Sequence, residues 1–223
     1  MDRTDIETSL RAAEAATASG EGLKGTSFWK AVAAVKSSPE LIEDFADQIG
    51  AIDRRAFENW ATLVIPIGLG TSLAMMALAL GVAGLVLAFS LSDPWSWISF
   101  GAGTAVLIVT THGLGHLVTG TLQGMRFTHW FIGTIGRPQP GIKVDYATYL
   151  RTPARQRAWM HASGALVTKV TPFLMVPLAL AAGLPWWVTW GLVALGTLMA
   201  IADAAWSVKA SDWKKFRREM RYV

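Results

Sequence analysis

The chain has no cysteine, which excludes a disulfide framework, thiolate metal ligands and cysteine nucleophile chemistry. Charge is scarce too. Only 16% of the 223 residues are charged, against 52% hydrophobic, and 18 of the charged residues fall in the first 58. Beyond that point Glu58 to Asp93, Asp93 to Arg126 and Lys169 to Asp203 enclose charge-free runs of 34, 32 and 33 residues. A soluble domain does not sustain such runs, whereas a helix crossing the hydrocarbon layer needs about 20 apolar residues. The first 20 residues are polar and acidic, which argues against a cleavable signal peptide. The formal charge of +4 is spread as loop charge rather than as a stripe, so nucleic acid is not an expected partner.

The layout predicts an all-α polytopic membrane protein of four transmembrane helices, at about 61–92, 97–124, 158–182 and 185–208. The Asp93-Pro94 turn separates the first two, and Gly183-Leu184-Pro185 the last two. Between spans two and three, about 126–150, two β-rich stretches flank Arg137 to Gly141 (R-P-Q-P-G) and predict an interfacial β-hairpin, with alternation at Ile142, Val144, Tyr146 and Thr148. Residues 1–58 form a polar segment with an Ala-rich helix near Glu7 to Ala16 and an amphipathic helix started by Ser38 and Pro39. With few large apolar residues, this segment is expected to pack against a partner or the membrane surface rather than fold alone.

Six Lys and Arg lie between spans two and three, and six more in the basic tail, 209–223. The turns near 93 and 183 have none. The positive-inside rule then puts both termini in the cytoplasm, with Trp95, Trp97, Trp186 and Trp187 at the outer interface. The expected setting is a bacterial or archaeal plasma membrane, with the lipid bilayer as the first partner and no indication of oligomeric state.

Span two carries His112 and His116, four residues apart and so on one helical face, close enough to share one ion. Ionisable groups inside a span are costly and usually functional. Counting about 1.5 Å per residue inward from Trp97 and Trp187 puts His112 and Asp203 at similar depth, so Asp203 is a candidate third ligand for one zinc ion. Asp203 could instead pair with Lys169, the one base in span three, and His161 could replace Asp203 as a ligand. Gly113 and Gly115 would let another backbone approach the His face.

These residues resemble the site-2 proteases, intramembrane zinc metallopeptidases. Their H-E-x-x-H motif is matched by His112 and His116, with Gly113 in the Glu position. The L-D-G motif is matched at Asp203 alone, within Ala202-Asp203-Ala204. The G-P-x-x-N pattern corresponds to Gly164-Ala165-Leu166-Val167-Thr168, with Thr168 in the Asn position. The resemblance covers residues 60 to 208. It implies a zinc site of His112, His116 and Asp203, and a β-edge that holds transmembrane or extended protein segments by strand addition. It also exposes a loss. The family's Glu is general base toward water and general acid toward the leaving amine, and Gly113 can be neither. The resemblance therefore implies an impaired, protease-like protein that binds segments. The alternatives are an active metallopeptidase with a substitute base such as Asp145, and a metal-free ion relay or structural membrane protein built on the His pair, Asp203 and Lys169.

Overall fold

The computed structural model describes residues 1–133, 140–205 and 211–223. In chain order the elements begin with α1 (Arg3–Ala18), α2 (Phe28–Val35), α3 (Pro39–Trp60), β1 (Leu63–Pro66), α4 (Ile67–Leu87) and α5 (Trp95–Leu122). They continue with β2 (Phe127–Ile132), β3 (Pro140–Val144), α6 (Tyr146–Arg151), α7 (Ala154–Ala181), α8 (Trp186–Ala205) and α9 (Asp212–Glu219), then a 3-10 turn, Met220–Tyr222. The protein is thus an α-helical polytopic chain with one small antiparallel sheet. Two compact units divide it: residues 1–67, 120–157 and 221–223 form the first, and 68–119 and 158–220 the second.

The first unit has its own apolar core, in contrast to the partner-dependent segment expected from composition. Helix α1 starts in a capping box, in which Asp2 Oδ1 accepts from the Asp5 amide at 2.8 Å and Asp5 accepts from Asp2 in return. It buries Ile6, Leu10, Ala13 and Thr17 along one stripe. Helix α2 is an element the sequence pattern does not mark, because it has only eight residues and its N-cap, Ser27, makes no side-chain cap bond. It buries Phe28, Ala31, Val32 and Val35, at i, i+3, i+4 and i+7. Ser38 and Pro39 open α3 as expected, and Phe45, Ile49 and Ile52 join the same core together with Leu150 of α6. At Gly50 a Cβ would lie 3.0 Å from the Cβ and amide of Ala147, so the bare glycine is what lets α3 and α6 cross closely. The Lys36 ammonium lies over the rings of Tyr149, Tyr146 and Tyr222, at 5.0, 5.7 and 5.7 Å.

The expected hairpin is present as β2 and β3, paired antiparallel with Trp130 opposite Ile142. Two features differ from the sequence reading. Residues 63–66, expected at the start of span one, form β1 and pair with β2 from Leu63↔Ile132 to Pro66↔His129, giving the order β1-β2-β3. The strand expected to run through Tyr149 ends at Val144, because Asp145 accepts the Thr148 amide at 3.0 Å and caps α6. The hairpin's turn at 137–139 and the predicted end of span four at 208 lie outside the described residues.

The second unit contains the apolar helices. Ile67–Leu87, Trp95–Leu122, Ala154–Ala181 and Trp186–Asp203 are each long and apolar enough to cross a membrane, with mean hydropathy of 2.0, 1.3, 1.6 and 1.3. Their large side chains are widely exposed, as at Leu80, Val109, Leu180 and Leu198, which is the condition of a lipid-facing surface. Inside the unit Leu85, Phe100, Leu107, Met175, Ala179 and Leu192 form a core. Helices α4 and α5 meet through glycine: a Cβ at Gly103 would lie 2.6 Å from Gly81 O.

Candidate metal centre

One turn of α5 places His112 and His116 side by side, with ring centroids 4.8 Å apart and planes perpendicular. Each imidazole is oriented through Nδ1 by a different part of α7. His116 Nδ1 is 2.7 Å from Met160 O, and a carbonyl can only accept, so the proton of that ring sits on Nδ1. His112 Nδ1 is 2.9 Å from Thr168 Oγ1. The Thr168 hydroxyl already donates its one proton to Gly164 O at 2.8 Å, so it accepts from His112, which also carries its proton on Nδ1. Both Nε2 atoms are therefore left with a lone pair, that of His116 close against Gly164 of α7. Such outer hydrogen bonds are how metal-ligating histidines are held in one tautomer.

A carboxylate meets them there. Asp212 Oδ2, at the first position of α9, lies 3.4 Å from His112 Nε2 and 3.3 Å from His116 Nε2. Its other oxygen takes Lys215 Nζ at 3.0 Å. Burial opposes the charged form of Asp212, but a hydrogen bond from His116, when that ring carries a second proton on Nε2, and the Lys215 ammonium outweigh it and hold the carboxyl well below the usual carboxylate range. Two imine lone pairs and a carboxylate oxygen in mutual contact repel one another unless a cation lies among them. That cation can be an added proton or a metal ion.

The donor set, and its two His–Asp spacings, fit a metal. The three ligand atoms all lie within 4.8 Å of one another. Zinc bonds to His and Asp are about 2.0–2.1 Å, so the edge of a tetrahedral site is about 3.3–3.4 Å, the length of both His–Asp separations. The His116 and Asp212 side chains are 15% exposed and His112 is 43% exposed, so the centre is closed on two sides and open on the third.

No protein-family model, curated protein or solved structure matches the chain. The chemistry of the site therefore rests on its own geometry.

The structure departs from the expected ligand set at its third member. Asp203 is not beside the histidines; its Oδ2 lies 2.6 Å from Lys169 Nζ, linking α8 to α7, while Lys169 also donates to Ala165 O at 3.0 Å. Equal depth along two helices does not make two side chains face each other, and the side of α8 that bears Asp203 looks onto α7. The carboxylate that does reach the pair is nine residues further along, in the stretch whose charge marks it as a basic tail. A signal was present: Ser211 accepts the Lys214 amide at 3.3 Å as an N-cap, and Asp212, Phe216 and Glu219 share a face of the helix it starts.

The remaining expected residues fall as follows. His161 is within electrostatic reach of Lys215, Glu219, His116 and Asp212, but is not one of the three grouped ligands. Thr168 orients His112 rather than standing apart from it. Asp145 belongs to the first unit, where it caps α6 and pairs with Arg54 at 2.9 Å. Gly115 approaches Gly164, with a hypothetical Cβ 3.3 Å from Gly164 Cα.

Proposed function

We propose that the protein is a membrane-embedded zinc protein of site-2-protease-like type, which binds transmembrane or extended protein segments and cleaves them poorly if at all. The observation that carries this reading is the meeting of two Nε2 lone pairs with Asp212 Oδ2 at tetrahedral edge lengths. His112, His116 and Asp212 would hold the ion, and Thr168, Met160 and Lys215 would keep those ligands in place. A zinc ion bound there supplies Lewis acidity toward a carbonyl oxygen. Hydrolysis also needs a base poised at the open side. Gly113 offers none, Asp203 is held by Lys169, and Asp145 is held by Arg54 and its cap.

The outer strands β1 and β3 of the sheet support segment binding by strand addition. The distribution of Lys and Arg supports both termini in the cytoplasm. A second reading, a metal-free ion relay, is supported by the Lys169–Asp203 ion pair between two apolar helices.

Metal analysis of the purified protein tests the choice. About one zinc per chain, lost in His116→Ala, supports the proposal, while a metal-free protein that still folds favours the relay. Cleavage of a model transmembrane substrate, abolished by His116→Ala, would replace the impaired reading with an active peptidase.

A further inference from the structure

Helix α9 has two chemically opposite faces. At about 100° per residue, Asp212, Phe216 and Glu219 lie on one side and Lys214, Arg217 and Arg218 on the other. The first face is turned inward: Glu219 is fully buried, Phe216 packs edge-on against Trp159 of α7 at 5.5 Å, and Asp212 meets the His pair. Lys214, Arg217 and Arg218 are exposed, three cations at i, i+3 and i+4.

This basic face is held at the bundle. Asp212 follows Ala205, the end of α8, by seven positions, a reach of at most about 25 Å even fully extended. Asp212 and Phe216 then fasten α9 to α5 and α7, the helices long and apolar enough to span. Trp213 lies 5.6 Å from Phe216 and 6.0 Å from Lys169 Nζ, and Trp159 packs on Phe216 from α7, so aromatic rings line the inner face of α9. An exposed cationic helix face tied by a short connection to the end of an apolar helix is chemically complementary to lipid phosphate. An anionic leaflet attracts each such Lys or Arg within a Debye length, about 8–10 Å.

We infer that Lys214, Arg217 and Arg218 form a binding face for anionic phospholipid headgroups, and that its occupancy holds α9 against the bundle and so presents Asp212 to His112 and His116. The inference rests on the zinc-site reading and adds a regulator to it. Since both ligands would favour the docked position of α9 over an undocked one, lipid binding on one face and metal binding on the other would be linked through that position. Linkage is reciprocal, so anionic lipid that tightens zinc is itself bound more tightly when zinc is present.

The test is a chelator-buffered zinc titration of the full chain in vesicles of phosphatidylcholine alone and of phosphatidylcholine with phosphatidylglycerol. The expected result is zinc affinity about tenfold higher in the anionic vesicles, a coupling of ordinary size. Lys214→Gln/Arg217→Gln/Arg218→Gln should bind zinc in both vesicles with the affinity of the unchanged protein in phosphatidylcholine. Equal zinc affinity of the unchanged protein in the two vesicles overturns the lipid inference and leaves the metal centre standing. A phosphatidylglycerol effect that survives in the triple variant also overturns it, because the lipid would then act elsewhere, as does a tightening produced only by an added acidic protein. Absence of zinc binding in both vesicles overturns the zinc-site reading and this inference with it.

Discussion

Gly164 of α7 lies directly against the imidazole of His116, with no room for a Cβ between them. The same absent Cβ would fall 2.7 Å from His112 O, so the obstruction involves α5 backbone as well as a ring. Gly164→Ala should therefore push α7 off the His face and break the hydrogen bonds to Thr168 and Met160 that set both tautomers. The expected outcome is loss of zinc binding by at least about tenfold, since removing outer-sphere partners of a metal site costs about 10–100-fold. Gly191→Ala, where nothing lies within 4 Å of the added carbon, is the matched control and should bind zinc normally.

Asp203 and Asp212 of the second unit should behave differently. Asp212→Asn removes the carboxylate charge from the His pair and should weaken zinc strongly. Asp203→Asn removes the counter-charge of Lys169, so its expected effect is on folding, with zinc stoichiometry retained in the folded fraction. Metal analysis of monodisperse protein separates the two, and zinc loss in Asp203→Asn alone would return that residue to the ligand set.

Gly113→Glu introduces a carboxylate one residue after His112. General acid–base assistance contributes about 10² to 10⁴ in rate. Cleavage of a model transmembrane substrate should therefore be at or below detection in the unchanged protein and appear in this variant. Robust zinc-dependent cleavage by the unchanged protein would refute the impaired reading.

Membrane orientation is testable because the chain is naturally free of cysteine. Ser92 and Val223 are exposed. Ser92→Cys should react with an impermeant maleimide added outside intact cells, and Val223→Cys only after lysis. The reverse pattern would invert the topology.

Asp53 of α3 is buried in an ion pair with Lys143 of β3. Burial pushes its carboxyl up, more than the Lys143 ammonium lowers it. A carboxyl raised in the folded state favours folding most when protonated. Its contribution is therefore full below the ordinary carboxylate range and is lost as pH rises through the elevated value. Lys143→Met strips the counter-charge and should steepen that loss, destabilising the protein near neutral pH by about 3 kcal/mol. Thermal unfolding of the protein and both Asp53→Asn and Lys143→Met across acidic to neutral pH measures it, and an unchanged profile in Asp53→Asn would refute the assignment.

Properties that depend on near neighbours in the chain were legible in the sequence. Charge-free runs marked the four apolar helices, though the first is shorter at both ends than its run, Ser38 and Pro39 marked the start of α3, and four-residue spacing put His112 and His116 on one face, because solvation, capping and helical repeat act over one or two turns. Tertiary structure decided what depends on direction and on distant partners. Residues 63–66 are a strand because β2 offers an edge more than 60 positions away, a pairing no local pattern encodes. Asp203 and Asp212 both follow apolar stretches, and helix rise could level Asp203 with His112. Only packing determines which carboxylate points at the pair: α8 turns Asp203 toward Lys169, while the Ser211 cap and the Trp159–Phe216 contact fold α9 back so that Asp212 arrives at the two Nε2 atoms.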